Sequence, residues 1–235
     1  PMCGHLARRS GKAVLAYDLR NEPLARLAEF GVKGATPEQL ARDCEVIIMS
    51  LPDGKAMQAV VAQLEPHLKA GQCVVDTSTS SVAATREIGA RLTAKGVMFA
   101  HVKDILETMG TDVSHCGPIG CGQVLKILNN MLVFENTHAL AEAIAIGRRN
   151  GVEPDTLLRI LATGSGDSFI LHNHGMKAMV PEVYPDRAFS VKYSIKDLSY
   201  ALEMADEAGL KVEGARLAMD RLKAADAAGF GDLYH

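Results

Sequence analysis

Short apolar runs alternate with amphipathic stretches over the first hundred residues. The apolar runs, which are typical of buried parallel strands, cover 13–18, 45–53, 73–80 and 96–99. Helical patterns separate these runs and cover 21–30, 36–43 and 81–96. The Thr36-Pro37 pair is a typical helix start. Short strands that alternate with helices predict a parallel sheet covered on both faces, so the first half of the chain is predicted to be α/β.

The remainder of the chain has only helical periodicity. Residues 120–150 contain no proline and would form one helix roughly 45 Å long, which could link two domains or form a subunit interface. Further helices are predicted at 154–164, 169–180, 189–209 and 214–229. Because the two halves differ in type, we place a boundary near Gly117 to Gly120. The prediction is an α/β domain at 1–118 and an all-helical domain at 119–235.

Composition and charge narrow the classes of function. The 235 residues carry a net charge of −3 without a basic stripe, which disfavours nucleic acid as a partner. No apolar run reaches the roughly 18 residues that cross a bilayer, so no membrane partner is expected. The five cysteines are scattered without a C-x-x-C pair, which favours a reduced, cytoplasmic protein. The chain shows no signal peptide but begins at Pro1, which leaves open a start further upstream.

Polar or turn-forming residues follow the predicted strands and would line one rim of the sheet. They are Asp18, the Leu51-Pro52-Asp53 turn and the segment 77–80. Ligands of parallel sheets bind beyond the carboxyl ends of the strands, and a dinucleotide fold uses an acid at such an end to hold the adenosine ribose. Asp18 therefore favours NAD. Arg20 could instead bind the 2′-phosphate of NADP, and an Asp18 that only caps its strand and faces water is a further alternative.

Five motifs occur in the order in which one enzyme family carries them. They are MSLPD (49–53), VDTSTSSVAATREIGARLTAKGVMF (75–99), GPIGCGQVLKILNN (117–130), GSGDSF (164–169) and IKDLSYAL (195–202). The chain thus resembles the β-hydroxyacid dehydrogenases, the family of 3-hydroxyisobutyrate dehydrogenase and tartronate semialdehyde reductase, which are relatives of 6-phosphogluconate dehydrogenase. PMCGHLA (1–7) resembles the tail of the family's glycine-rich turn, with Cys3 where a glycine is usual.

The resemblance implies a Rossmann-type dinucleotide-binding domain followed by the helical domain. It also implies that hydride moves between NAD(P) and a small 3-hydroxy acid or its semialdehyde, with Lys126 as proton donor and acceptor. Asn130, one helical turn away, would bind Lys126 or the substrate hydroxyl. Burial of an ammonium on an apolar helix face favours its neutral form, which would suit proton transfer. On the residues alone, a Lys126 that snorkels to solvent is the alternative.

The resemblance assigns further roles to individual residues. The implied cofactor contacts are Met2, Asp18, Leu51, Pro52, Thr79 and Lys196. The implied substrate contacts are Gly122, Asn130, Ser168 and Phe169. Asp197 is expected to fix the local geometry, and Ser78 and Ser80 are expected to form hydrogen bonds at a strand end. The family also implies a homodimer or homotetramer.

Two parts of the family pattern are not found in the sequence. No first strand and leading glycines precede PMCGHLA, and the junction 98–110 lacks a stretch that carries an Asp-Ala-Pro-Val strand and a Ser-Gly-Gly substrate loop. The alternative function is therefore a dinucleotide-binding or scaffold module that has lost catalysis. Imine reduction on the same scaffold would require another proton donor in place of Lys126. The identity of the hydroxy acid stays open, with 3-hydroxyisobutyrate, tartronate semialdehyde and threonate as candidates.

The two histidines of His172-x-His174 do not predict a metal site. Side chains two residues apart on a helix point in different directions, so they cannot readily share one ion. Nicotinamide chemistry needs no metal, and none is expected.

Overall fold

The computed structural model describes residues 2–99, 103–186 and 188–235. The chain divides into two compact units, residues 1–124 and residues 125–235. The first unit has the Rossmann-type α/β architecture that the alternation of strands and helices predicts. In the second unit the described residues are mainly helical, as the periodicity predicts.

The N-terminal unit alternates short parallel strands with helices. Its elements are α1 Met2–Arg9, β1 Leu15–Ala16, α2 Asn21–Ala28, β2 Lys33–Gly34, α3 Pro37–Asp43, β3 Val46–Met49, α4 Gly54–Leu64, β4 Cys73–Asp76, α5 Val82–Ala94, β5 Met98–Phe99 and α6 Lys103–Leu106. Strands β3, β4 and β5 form one parallel sheet in that order, and β1 pairs in parallel with β2. The pairing of Met49 with Asp76 brings the ends of β3 and β4 side by side.

Helices α4 and α5 and the central strands share one apolar core. Met57, Val61 and Leu64 of α4 and Ile88 and Leu92 of α5 are almost fully buried in it. Burial of these side chains is the main term that holds the helices on the sheet, at about 1.5–3 kcal/mol for each large apolar side chain. The loops after the strands are consequently fixed at both ends.

Some elements of this unit depart from the sequence-based expectation. Strand β2 was not predicted because it consists of Lys33 and Gly34, which are both exposed and form no apolar run in the sequence. Helix α4 was not predicted either, although Asp53 is its N-cap and accepts a hydrogen bond from the Ala56 backbone at 2.8 Å. Strands β3 and β4 are also shorter than the runs from which they were predicted, because those runs include the polar or turn-forming residues at 50–53 and 77–80. Within the junction 98–110, residues 100–102 lie outside the described residues.

The C-terminal unit is built on a long helix that starts in the N-terminal unit. Its elements are α7 Cys121–Arg149, α8 Pro154–Leu161, a π-helix Leu171–Met179, α9 Val191–Glu207, α10 Glu213–Ala225 and a short π-helical turn Asp226–Phe230. The 29 residues of α7 match the predicted long helix. Positive φ angles at Gly117 (114°) and Gly120 (95°) turn the chain into it, a backbone conformation that favours glycine.

Two packed clusters hold the C-terminal unit together. Leu140, Ile144, Leu158 and Leu171 join α7, α8 and the π-helix in an apolar core. The second cluster is aromatic and contains Phe134, His174, Phe189, Tyr234 and His235. No helix in the described part of the chain combines the length and the apolar character needed to cross a membrane.

Candidate active site and cofactor-binding edge

The loops that follow β3 and β4 are tied together by hydrogen bonds. The carbonyl of Met49 accepts bonds from the Thr77 backbone at 2.9 Å and from the Thr77 hydroxyl at 2.7 Å. The hydroxyl of Ser78 accepts a bond from the Leu51 backbone at 2.8 Å. This places Leu51 and the segment 77–80 at one edge of the sheet, and Leu51 and Thr79 are implied cofactor contacts. The hydrogen-bonding role expected of Ser78 is confirmed.

The β4 loop, defined as residues 77–80, is also held by hydrogen bonds to Asp76, the residue that precedes it. Ser81 caps α5 by accepting a bond from the Ala84 backbone at 3.2 Å, which ends the loop. Asp76, at the end of β4, accepts bonds from the Ser78 backbone at 3.0 Å and from the Ser80 hydroxyl at 3.4 Å. Burial raises the pKa of the Asp76 carboxyl and outweighs these hydrogen bonds, which lower it. Ser80 is fully buried, and its hydroxyl is hydrogen-bonded, as expected of a residue at a strand end.

Gln123 is a site residue that the sequence reasoning missed. Its side chain is buried in the first turn of α7, where Nε2 donates to the Ser78 carbonyl at 2.7 Å and Oε1 accepts from the Ser80 backbone at 3.2 Å. The available signal was an uncharged polar residue just before the apolar Val124 and Leu125. Such a residue is seldom buried without a dedicated partner.

Asp18 and Arg20 contact each other just beyond β1. Asp18 Oδ1 accepts a bond from the Arg20 backbone at 2.8 Å and lies 3.8 Å from the Arg20 guanidinium. The Asp18 side chain is 39% exposed, so its carboxylate can reach a ligand. Met2 lies in the first turn of α1 and is also exposed.

A chain of polar contacts connects α7 with α9 in the C-terminal unit. Lys126 Nζ donates to Asn130 Oδ1 at 2.9 Å, and Asn130 Nδ2 donates to Asp197 Oδ2 at 2.7 Å. Asn130 and Asp197 are both buried, and Asp197 is only 1% exposed. The i, i+4 spacing of Lys126 and Asn130 therefore produces the contact that the sequence predicts.

Lys196 approaches the same carboxylate from α9. Its Nζ forms an ion pair with Asp197 Oδ1 at 3.0 Å. The ammonium also lies 4.9 Å from the ring centroid of Tyr193 and 5.8 Å from that of Tyr200, within reach of cation–π attraction. Asp197 thus contacts both the Asn130 amide and the Lys196 ammonium, and the Lys126–Asn130–Asp197–Lys196 network is defined by these four side chains.

The expectation that Lys126 is buried is wrong. Lys126 is exposed, as are Leu125 and Leu128 on either side of it. The buried face of α7 passes instead through Ile127 and Asn130. Apolar side chains occur on more than one face of α7, so the apolar pattern does not show which face is buried. Lys126 lies at the edge of the buried face, and its ammonium reaches Asn130.

The other implied substrate contacts are Gly122, Ser168 and Phe169. Gly122 is an exposed residue in the first turn of α7, and Phe169 is 74% exposed. The Ser168 hydroxyl accepts a bond from the Leu171 backbone at 3.0 Å, where the π-helix begins. Among the hydrogen bonds and ion pairs of the described residues, none connects Ser168 or Phe169 to Lys126.

The histidines of the π-helix have separate environments. His172 Nε2 lies 2.7 Å from Asp167 Oδ1 at the surface, whereas His174 is buried and its Nε2 lies 2.9 Å from the Tyr234 hydroxyl. Within residues 2–99, 103–186 and 188–235, no three His, Cys, Asp or Glu side chains are grouped closely enough to hold a metal ion.

The two-domain fold, together with the family matches that follow, defines an NAD(P)-dependent oxidoreductase. Two family models match the chain. The model described as the NAD binding domain of 6-phosphogluconate dehydrogenase matches residues 1–102. The model described as NAD-binding of NADP-dependent 3-hydroxyisobutyrate dehydrogenase matches residues 120–235. The chain belongs to the β-hydroxyacid dehydrogenase family, a group of NAD(P)-dependent hydroxyacid dehydrogenases.

Relatives and solved structures match over nearly the whole chain. The 2-(hydroxymethyl)glutarate dehydrogenase of Eubacterium barkeri is 25% identical over 263 residues, which cover 98% of this chain and 87% of that protein. The 3-hydroxyisobutyrate dehydrogenase of Pseudomonas aeruginosa is 27% identical and covers 87% and 81%, respectively. The structure of 3-hydroxyisobutyrate dehydrogenase from Mycobacterium tuberculosis with L-serine has a TM-score of 0.88 at 22% identity, covering 99% of this chain and 91% of that one.

The alignment with the Eubacterium protein contains gaps in this chain. Its 263 aligned positions exceed the 235 residues of this chain. The Eubacterium protein therefore carries internal residues that have no counterpart in this chain.

Proposed function

We propose that this protein transfers hydride between NAD(P) and the hydroxyl-bearing carbon of a small 3-hydroxy acid, with Lys126 as the proton donor and acceptor. The observation that carries the proposal is the chain of bonds from Lys126 through Asn130 to Asp197. An amide that is held by a buried carboxylate presents its oxygen to the ammonium and fixes where the ammonium lies.

Lys126 has the donors that the reaction needs. An ammonium carries three N–H groups, and Asn130 Oδ1 accepts one of them. A second N–H can therefore donate to the substrate oxygen, and proton transfer to that oxygen completes reduction of the carbonyl. In the oxidation direction the neutral amine takes the hydroxyl proton. Positioned proton transfer of this kind contributes typically 10²–10⁴-fold to the rate.

The edge of the N-terminal unit fits a dinucleotide. Leu51-Pro52 and Thr79 follow the carboxyl ends of parallel strands, where such ligands bind, and Asp18 offers a partly exposed carboxylate for ribose hydroxyls. We propose that these residues and Met2 hold the cofactor, with Lys196 as a further contact. When bound, the nicotinamide accepts or supplies the hydride.

The names of two relatives suggest the substrate class. Both 3-hydroxyisobutyrate and 2-(hydroxymethyl)glutarate carry a CH₂OH group on the carbon that bears a carboxylate. We therefore propose that the substrate is a 2-substituted 3-hydroxypropanoate or the corresponding semialdehyde. Asn130, Gly122, Ser168 and Phe169 are its proposed contacts.

The test compares wild type with Lys126→Ala on a panel of 3-hydroxy acids. Reduced cofactor is followed by its absorbance, with NAD and NADP assayed separately. We expect kcat to fall by about 10²–10⁴-fold in the variant, while the dissociation constant for NADH stays within about twofold. Loss of turnover with cofactor binding retained is the signature of a missing proton donor.

Lys177 offers a matched control. Its Nζ donates to Asn173 Oδ1 at 2.7 Å with the same four-residue spacing, but on an exposed part of the π-helix. Lys177→Ala should keep wild-type kcat. Equal losses in both variants would contradict a special role for Lys126.

The missing internal residues favour a second candidate, a dinucleotide-binding module without catalysis. In that case wild type would bind NADH tightly and turn over none of the acids or semialdehydes. The same assay therefore decides between the two candidates.

A further inference from the structure

We infer that Gln123 is a positioning residue for cofactor binding, because its side-chain amide forms hydrogen bonds with the peptide groups on both sides of Thr79. The inference rests on the proposed role of Thr79 as a cofactor contact. Gln123, Ser78, Thr79 and Ser80 all belong to the N-terminal unit.

The two hydrogen bonds from the Gln123 amide to Ser78 and Ser80 are called the clamp. Gln123 Nε2 donates to the carbonyl of Ser78 at 2.7 Å, and Gln123 Oε1 accepts from the N–H of Ser80 at 3.2 Å. Gln123, Ser78 and Ser80 are all buried, with Ser80 at 0% exposure. A buried peptide group that loses its partner is costly, so both bonds constrain the backbone strongly.

The two peptide groups that flank the Thr79 side chain are the ones that the Gln123 amide binds. Thr79 is partly exposed, and its side chain is the one in the β4 loop without a hydrogen bond among residues 2–99, 103–186 and 188–235. Its hydroxyl can therefore bind a ligand. The position of that hydroxyl depends on the backbone between Ser78 and Ser80.

The rest of the loop has independent anchors. Thr77 is bonded to Met49, and the Ser80 hydroxyl lies 3.2 Å from the Thr85 hydroxyl. Loss of the Gln123 amide should therefore shift Thr79 without unfolding the sheet edge. This separation of effects makes a positioning role testable against a purely structural one.

The experiment uses Gln123→Glu and Gln123→Met in the full chain. In Gln123→Glu, the ionised carboxylate cannot donate to the Ser78 carbonyl and is repelled by it, whereas the protonated acid has the shape and the donor of the amide. We expect the dissociation constant for NADH, measured by its fluorescence, to rise at least about tenfold for Gln123→Glu at pH 8. It should return toward the wild-type value near pH 5.5. Gln123→Met should bind weakly at both pH values.

Control measurements distinguish the positioning role of Gln123 from the proposed cofactor contact of Thr79. Wild type is titrated at each pH, and urea unfolding of every variant monitors stability. Thr79→Val tests the premise, because it removes the hydroxyl and leaves the clamp intact. A combined Thr79→Val, Gln123→Met variant should bind NADH no more weakly than whichever single variant binds it less tightly. Both changes act on the same contact, that of the Thr79 hydroxyl with the cofactor.

The outcomes are distinct. If Thr79→Val binds NADH as wild type does, the proposed cofactor role of Thr79 fails, and the inference falls with it. If Thr79→Val weakens binding but both Gln123 variants bind normally, the inference alone is overturned. Weak binding by Gln123→Glu that does not recover at low pH also overturns it. Recovery at low pH, seen in Gln123→Glu but not in Gln123→Met, supports the clamp.

Discussion

Asp197 is a buried carboxylate that serves two elements at once. It accepts a hydrogen bond from Asn130 of α7 and forms an ion pair with its neighbour Lys196 on α9. Burying a charge costs free energy unless partners compensate, and here an amide donor and an ammonium both do so. Removal of the carboxylate would therefore leave the Asn130 amide buried without an acceptor.

We predict that Asp197→Ala lowers the free energy of unfolding by about 2–3 kcal/mol, because it removes a buried, charge-assisted hydrogen bond. Urea denaturation gives the value. Asp206→Ala is the matched control on the same helix, since Asp206 pairs with Arg216 at the surface. That change should cost less than about 1 kcal/mol. Similar losses in the two variants would show that the buried network contributes no more than a surface ion pair.

His174 and His235 are buried beside each other in the aromatic cluster. Their rings are 4.9 Å apart, and His174 Nδ1 has no hydrogen-bond partner in the described structure. Burial, and secondarily the charge of His235, lowers the pKa of His174 to about 4. Burial also lowers the pKa of His235, although a bond to the Phe189 carbonyl opposes this. Both rings are therefore neutral in the folded protein near pH 7.

Acidification should unfold the protein partly through His174. Between its ordinary pKa of 6.5 and its folded pKa of about 4, the unfolded chain binds the proton and the folded chain does not. Stability is thus complete above pH 6.5 and falls as the pH drops toward 4, by up to about 3 kcal/mol. We expect His174→Gln to flatten this slope in urea denaturation at several pH values. His172→Gln, at the surface of the same helix, should keep the wild-type slope, and a wild-type slope in His174→Gln would contradict the assignment.

At the scale of elements, the π-helix can approach α7 and α8 closely because residue 175 is glycine. A Cβ atom at Gly175 would lie 2.7 Å from Leu140 Cδ2 and 2.8 Å from Leu158 Cδ1. Both leucines are buried in the apolar core, so neither can move away freely. The glycine is thus a packing requirement of this unit.

Gly175→Ala should therefore destabilise the protein by about 1–3 kcal/mol, the usual cost of overpacking a core. Gly122→Ala is the comparison, because a Cβ there meets no atom within 4 Å and the residue is helical. It should be neutral or stabilise by up to about 1 kcal/mol. Thermal and urea unfolding of both variants test the pair, and a neutral Gly175→Ala would show that the leucines can repack.

The sequence predicted element types better than element limits. The long helix and the parallel strands follow from periodicity, which reports burial averaged over many residues. Strand β2 could not be predicted because two exposed residues, Lys33 and Gly34, carry no such pattern. The i, i+4 contact of Lys126 with Asn130 was predictable from helix geometry alone. The bonds of Gln123 and Asp197 were not, since they join residues 43 or more positions apart.

At the scale of the whole molecule, cofactor binding should raise the melting temperature. A ligand at 100 times its dissociation constant adds about 2.7 kcal/mol to the free energy of unfolding. We predict a larger shift with NAD than with NADP, because the carboxylate of Asp18 suits ribose hydroxyls and repels a 2′-phosphate. Thermal denaturation with each cofactor at matched concentrations measures the difference.

Two variants test which residue determines the preference for NAD over NADP. Asp18→Ser should narrow the difference between NAD and NADP, because it removes the carboxylate. Arg20→Gln should leave the shift with NAD unchanged, since the bond to Asp18 Oδ1 comes from the Arg20 backbone, which the change keeps, and the Arg20 side chain is 76% exposed. A larger shift with NADP in wild type would reverse the predicted preference.

Helix α7 belongs to both compact units, and this limits where the chain can be cut. Residues up to 124 belong to the N-terminal unit, although α7 continues without a break to Arg149. A fragment that stops at residue 118 would lose Gln123 and also Ile119, whose side chain packs against Gly89. Fragment expression or domain exchange should therefore keep the first turn of α7 with the N-terminal half, even though that severs the helix.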